Sequence, residues 1–173
     1  MDTYSELDHI RGFAPIVGRE PRVLILGTAP SEQSLRADQY YANPRNDFWT
    51  IMDRLFSGGR PLEYPERVEM LKAVGVALWD VLLEASRVGS LDADIRSPVP
   101  NDLGALLRDQ PSIHTVFFNG SAAESLFSTY VTPSLSGGTL RFERLPSTSP
   151  ANASISFALK LAAWDAVRVA ATE

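Results

Sequence analysis

The sequence predicts an α/β fold: a three-layer α/β/α sandwich with a central four-stranded parallel sheet. Four short apolar runs recur along the chain, and helix-period apolar residues fill the intervals between them. No internal repeat, low-complexity tract or long linker divides the 173 residues, so the whole chain, 1–173, is read as a single domain. Strands that alternate with helices imply a parallel sheet covered on both faces. At this length the chain buries about two-thirds of its unfolded surface.

The first run, Arg22-Val23-Leu24-Ile25-Leu26-Gly27, is continuously apolar up to its glycine, the pattern of a strand buried on both faces. From Asn46 to Phe56, residues Phe48, Trp49, Met52, Leu55 and Phe56 fall at helical spacing. Pro65 to Ala73 reads as a second helix, and Val76-Ala77-Leu78-Trp79 as the second strand. Asp102 to Asp109 is the third helix, followed by the strand Thr115-Val116-Phe117-Phe118-Asn119-Gly120. Ser121 to Thr129 is the fourth helix, with Ser121 expected as its N-cap. The run Leu140 to Pro146 is the last strand. Ile155 to Ala171 is the longest helix, amphipathic through Phe157, Leu161, Trp164 and Val167. In such sheets ligands bind outside the carboxyl ends of the strands. Function is therefore sought just after Leu26, Trp79, Phe118 and Leu145.

Composition narrows the chemistry. Apolar residues at 45% and charged residues at 21% are ordinary for a soluble globular protein. No apolar run approaches the roughly 20 residues of a membrane span. Met1 to Glu20 carries charges throughout and lacks the apolar core of a secretory signal, so a cytoplasmic protein without membrane contact is expected. The absence of cysteine excludes disulfides, thiol catalysis, a Cys-ligated zinc site and an iron–sulfur cluster. With His9 and His114 as the only histidines, a histidine metal site is not expected either, and no metal or cofactor is assigned. The net charge of −5 weighs against a nucleic-acid partner, because non-specific affinity comes largely from neutralised phosphates. A basic face or a few helix N-termini can still hold a phosphate backbone.

The segments beyond the strand ends are Gly27-Thr28-Ala29-Pro30-Ser31, Asn119-Gly120-Ser121 and Leu145-Pro146-Ser147-Thr148-Ser149-Pro150-Ala151-Asn152. Between the first strand and first helix lies Gln39-Tyr40-Tyr41-Ala42-Asn43-Pro44-Arg45-Asn46-Asp47-Phe48-Trp49. These segments are small, polar and rich in amides and hydroxyls, with little ionisable chemistry. Such a pocket reads hydrogen-bond edges and orients a water; it does not supply a strong base or nucleophile. The set resembles the uracil-DNA glycosylase superfamily from about Arg22 to Trp164, nearest the hypoxanthine-DNA (deoxyinosine) branch, with the mismatch-specific uracil/thymine glycosylases next. The Gln39–Trp49 block is the specific part, Leu145–Asn152 supports it, and Gly27–Ser31 alone is weak.

The resemblance implies a DNA-repair glycosylase acting without cofactor on DNA that contains a deaminated base, hypoxanthine or uracil; a monomer is expected. The base leaves the stack and its N-glycosidic bond is hydrolysed. Many members carry aspartate or asparagine two positions ahead of the first-motif proline to position the attacking water; Thr28 stands there in this chain. In the hypoxanthine branch a later asparagine compensates, and Asn46 fits that role, with Asn43 as fallback. Asn46 also fits a helix N-cap, and both roles can hold at once. Tyr41 is expected to stack on the base, with Asn119 reading its polar edge and Ser147 and Ala29 beside it. Ser31, Ser149, Ala151 and Asn152 are assigned to DNA contact, and Arg45 and Arg144 are phosphate candidates.

Other residues carry plainer readings. Asp80 follows the second strand and is read as the cap of a next helix, although a general acid or base is the alternative. Asp47 complements a helix dipole, and His114 is structural or solvated. Neither lysine, Lys72 or Lys160, lies in these motifs, so a monofunctional enzyme is favoured over a lyase. The alternatives left open are a mismatch-specific uracil/thymine glycosylase and a non-catalytic base-binding module of the same fold.

Overall fold

The structure, a computed structural model, describes residues 8–87, 90–132, 135 and 138–173. The reading of the N-terminal stretch from Met1 rests in part on residues 1–7, which lie outside the described residues. In chain order the strands are β1 (Asp8–Arg11), β2 (Val23–Gly27), β3 (Val76–Asp80), β4 (Leu82–Arg87), β5 (Arg96–Pro100), β6 (Thr115–Asn119) and β7 (Arg141–Leu145). The helices are α1 (Glu32–Ala37), α2 (Phe48–Phe56), α3 (Tyr64–Ala73), α4 (Leu103–Asp109), α5 (Ser121–Tyr130) and α6 (Phe157–Ala171).

The four apolar runs form one parallel sheet in the order β3-β2-β6-β7, as the sequence predicts. Alternate residues of β2 serve opposite layers, because side chains on a strand alternate between faces. Val23 and Ile25 join the core made with α2, α3 and α6, around Phe48, Ile51, Met52, Leu71, Trp164 and Val167. Leu24 and Leu26 join the opposite core with Leu103 of α4 and Ala123 and Phe127 of α5. Each such large side chain contributes about 1.5–3 kcal/mol by leaving water. No helix among the described residues is long and apolar enough to cross a membrane.

Helix ends follow local chemistry, with some shifts from expectation. α2 presents Phe48, Ile51 and Met52 on one buried face, and it begins two residues later than Asn46. α3 opens with Pro65 in its first turn and a reciprocal box between Glu63 and Glu66. Asp102 caps α4 through Ala105 N, and Ser156 caps α6 through Leu159 N. Ser121 does not cap α5; Gly120 does, at φ 93°. A Cβ at Gly120 would stand 3.0 Å from the Ser147 Cβ, so this position needs both a left-handed backbone and no side chain.

A second sheet, antiparallel in the order β1-β4-β5, has no counterpart in the sequence expectations. It arises because no helix follows β3. The chain turns through Val81, whose N–H bonds Gly27 O at 2.8 Å, and runs directly into β4. The reading of Asp80 as a helix cap is therefore corrected.

The start of α2 is fixed by charge. Lys160 of α6 is only 2% exposed, and its Nζ donates to Asp47 Oδ2 at 3.0 Å. Asp47 N–H also donates to Thr148 O at 3.0 Å. A buried ammonium is tolerated because it is paired, and removing the partner leaves an uncompensated charge. Asp47→Ala is expected to lower unfolding stability by about 3 kcal/mol in urea titrations, with most of it recovered when Lys160→Met is added. An unchanged midpoint in the single variant would refute this role.

Candidate active site

A cleft of about 910 Å³ opens where the carboxyl ends of β2, β3, β6 and β7 converge. Its walls include every residue assigned a site role from sequence: Thr28, Ala29, Ser31, Tyr41, Arg45, Asn46, Asn119, Ser147, Ser149, Ala151 and Asn152, together with Asn43 and Arg144. Four segments far apart in sequence thus meet at one end of the sheet, the location the strand-order rule indicates.

Two close approaches set the floor. A Cβ at Gly27 would fall 2.5 Å from Asp80 Oδ1 and 2.7 Å from the Tyr41 hydroxyl, so only glycine fits there. Tyr41 itself takes a left-handed backbone, φ 52°, which turns its ring across the floor. One face of that ring stacks on Phe48 with centroids 4.1 Å apart. Its hydroxyl accepts from Asn119 Nδ2 at 3.1 Å. The same Nδ2 donates to Thr148 Oγ1 at 3.0 Å, and Asn119 Oδ1 accepts from Thr148 N–H at 3.0 Å. Asn119 thereby ties β6 both to Tyr41 and to the loop after β7.

Asn46 faces the cleft from the rim. Its Oδ1 accepts from Phe48 N–H at 3.0 Å, closing a side-chain turn just ahead of α2, while its amide nitrogen has no protein partner among the described residues. Asn46 is therefore corrected as a helix cap: Asp47 holds the N-cap position of α2, without a side-chain bond, and Asn46 stands one residue earlier on the wall of the cleft. Asn43 Oδ1 accepts from Arg45 N–H at 2.9 Å, and Asn46 N–H donates to Asn43 O at 2.9 Å, so the two asparagines build one tight turn.

The remaining loops are held by their own side chains. Ser31 caps α1 through Ser34 N–H, and Ser147 Oγ accepts from Ser149 N–H at 3.2 Å. Ser149 caps the short turn Pro150–Asn152, and Asn152 Nδ2 donates to Ser147 O at 3.0 Å. Ala151 is exposed at the lip of the cleft, as is Arg45. Arg144 lies 3.5 Å from Glu124, so its charge is already partnered.

Acids also line this cleft, contrary to the expectation of little ionisable chemistry. Asp80 closes β3 at 4% exposure, and burial together with neighbouring Asp92 pushes its carboxyl up to about 7. Burial raises Asp92 as well, opposed by a hydrogen bond from the Thr28 hydroxyl and by Arg87. Thr28 is 6% exposed, so its hydroxyl serves as a link from the first motif to this acid. Arg87 of β4 is wholly buried, donates to the carbonyl of Pro30 and lies 3.9 Å from Asp92. Burial keeps the Tyr40 and Tyr41 hydroxyls far above their ordinary value, with Asp80 adding to the effect. Asp80 could have been found from its place at a strand's carboxyl end. Asp92 gives no local signal, since only the β4–β5 excursion brings it in. No group of three or more His, Cys, Asp or Glu arranged for a metal occurs among the described residues.

The fold and the cleft define a class. Residues 15–168 match the model of the uracil DNA glycosylase superfamily, and the chain belongs to that superfamily. It is thus a DNA glycosylase, a hydrolase of N-glycosyl bonds. Among its relatives is a protein of Methanosarcina acetivorans named hypoxanthine DNA glycosylase. The two are 36% identical over 143 residues, covering 78% of this chain and 90% of the relative. A hypoxanthine DNA glycosylase of Methanosarcina barkeri is 34% identical over 111 residues, covering 64% of this chain and 70% of its own. A solution NMR structure from Methanosarcina acetivorans, provisionally described as a uracil DNA glycosylase, superimposes with a TM-score of 0.81 at 32% identity. That match covers 96% of this chain and all of the other.

Proposed function

We propose that this chain is a monofunctional glycosylase that removes hypoxanthine from DNA, with uracil as a second or alternative substrate. One observation carries the reading: a chain 36% identical to a relative named hypoxanthine DNA glycosylase brings its segments around Thr28, Tyr41, Asn119 and Ser147 to a single cleft. The target nucleotide swings out of the stack, at a cost of a few kcal/mol, and enters the cleft. Tyr41 offers the ring face not covered by Phe48 for stacking. The bond from C1′ to the base nitrogen then breaks, and its electron pair leaves with the base. A water oriented by Asn46 adds its oxygen to C1′, and the proton it sheds neutralises the departed base. A nearly dissociated sugar cation needs only an aligned water, which an amide can supply. Ser147 and Ala29 border the base, while Ser31, Ser149, Ala151 and Asn152 form the lip that meets the phosphates and the vacated gap.

Lysine positions support hydrolysis without lyase chemistry. Lys160 is buried against Asp47, and Lys72 in α3 pairs with Glu69, away from the cleft. Duplexes carrying a single inosine or uracil, incubated with the protein and then treated with alkali, test the reading. Cleavage at inosine without borohydride trapping is the expected outcome. No cleavage at any lesion, with tight binding to abasic DNA, would indicate a non-catalytic module; preference for uracil or thymine mismatches would indicate the mismatch-specific branch.

Charge sets a further expectation. With Arg144 partnered and a net charge of −5, few phosphates are neutralised. DNA affinity is expected to fall only modestly with added salt, at a slope corresponding to about two or three phosphates. A slope near ten in a binding titration would refute this.

A further inference from the structure

Asn119, the residue expected to read the base, has no N–H to offer. Its Nδ2 is engaged by Tyr41 and Thr148, and its Oδ1 already accepts from Thr148. A base entering the cleft needs another group to meet its polar edge. Asp80 lies on the same floor, beside the Tyr41 hydroxyl across Gly27, and is more than nine-tenths buried. Its backbone carbonyl accepts from Asn101, yet its carboxyl has no hydrogen-bond partner among the described residues. The carboxyl reaches the cleft and has no protein partner there, so water fills that place until a ligand with a matching polar edge takes it.

We propose that Asp80, resting on the glycosylase reading above, is the residue that pairs with the lactam edge of the flipped base. Its O–H donates to the base carbonyl oxygen, and its C=O accepts from the adjacent ring N–H. Hypoxanthine and uracil both present that N–H beside a carbonyl. As the glycosidic bond breaks, the electron pair spreads onto the base and its carbonyl oxygen becomes more negative. A fixed O–H donor stabilises that charge without transferring its proton.

The neighbours of Asp80 keep the carboxyl in the donating form up to neutral pH. Burial raises it, Asp92 raises it further, and Arg87 works the other way. The nearby Tyr40 and Tyr41 hydroxyls stay neutral throughout. Once ionised, Asp80 loses its donor and sets a negative charge against a departing anion.

Single-turnover excision from inosine and uracil duplexes, followed from about pH 5.5 to about pH 9, tests the proposal for the native chain, Asp80→Asn and Asp80→Ala. The native rate is expected to fall about tenfold for each pH unit above about 7. Asp80→Asn keeps a donor and an acceptor but cannot titrate. It is expected to be roughly tenfold slower at low pH and to lack the falling limb. Asp80→Ala is expected to lose about 100-fold at every pH while holding abasic DNA within a few-fold of the native affinity. Native rates in Asp80→Ala, or an unchanged falling limb in Asp80→Asn, would overturn the proposal. Where the alanine variant fails to fold, the limb in Asp80→Asn decides alone. Excision by the native chain with an unchanged Asp80→Asn profile removes Asp80 only, whereas no excision by the native chain removes the glycosylase reading and this proposal with it.

Discussion

Asn46→Ala is expected to slow excision of hypoxanthine about 100-fold or more, because a water that is no longer aligned forfeits the proximity that an aligned one supplies. The same change removes the bond from Phe48 N–H to Asn46 Oδ1, so about 1 kcal/mol of stability should go with it. The two effects separate in Asn46→Ser. A serine hydroxyl makes the same turn bond more weakly, so the unfolding midpoint should return in part. Its hydroxyl does not reach where the Asn46 amide nitrogen stands, so the rate should not return. Single-turnover rates and urea titrations on the three proteins read both outcomes. A native excision rate in Asn46→Ala would reject the water-positioning role and leave Asn46 as part of the turn before α2.

Asp80→Asn is expected to stabilise the fold most at alkaline pH. The carboxyl moves from an ordinary 3.8 to about 7, so the folded chain binds this proton more tightly than the unfolded chain does. Stability is then highest below about pH 4, declines as pH rises between the two values, and stays low above about 7. At about 1.36 kcal/mol per pH unit, the loss is up to roughly 4 kcal/mol. Asparagine cannot ionise and escapes it. Unfolding free energies at about pH 5 and about pH 8 should converge in the variant and diverge in the native chain. Parallel pH dependence in the two proteins would show that Asp80 ionises without penalty, against its burial. The direction is that of a functional group held at some cost to stability.

The parts legible in sequence were those with continuous local patterns. Runs such as Val23-Leu24-Ile25-Leu26 and Val116-Phe117-Phe118 are short, apolar and rich in β-branched or aromatic residues, as strands buried on both faces are, and the helices between them carry their period openly. The antiparallel sheet had no such pattern. Leu82-Leu83-Glu84-Ala85-Ser86-Arg87 does not alternate cleanly, and β5 holds two prolines in five residues, which edge strands tolerate and pattern reading rejects. An alternating fold calls for a helix after each strand, which is why Asp80 reads as a cap in the sequence and stands at the turn into β4 in the structure. The cleft residues were identified by motif, but their bonding was not. Asn119 finds Tyr41 at a separation of 78 residues and Thr148 at 29, and nothing local reveals that both N–H bonds are already engaged. Arg87 was equally invisible: a buried guanidinium behind Pro30 follows from the unforeseen sheet.

The Tyr41 ring is clamped before any nucleic acid arrives. Phe48 covers one face, Asn119 holds the hydroxyl, and the left-handed backbone fixes the direction in which the side chain leaves the loop. Immobilising a side chain at a binding surface ordinarily costs about 0.5–1.5 kcal/mol at the moment of association. Here that entropy is lost during folding, so an extrahelical nucleotide meets a platform whose rotamer is already chosen. Loosening either clamp should show itself as a weaker grip on the swung-out base, with the chemistry that follows left as it was.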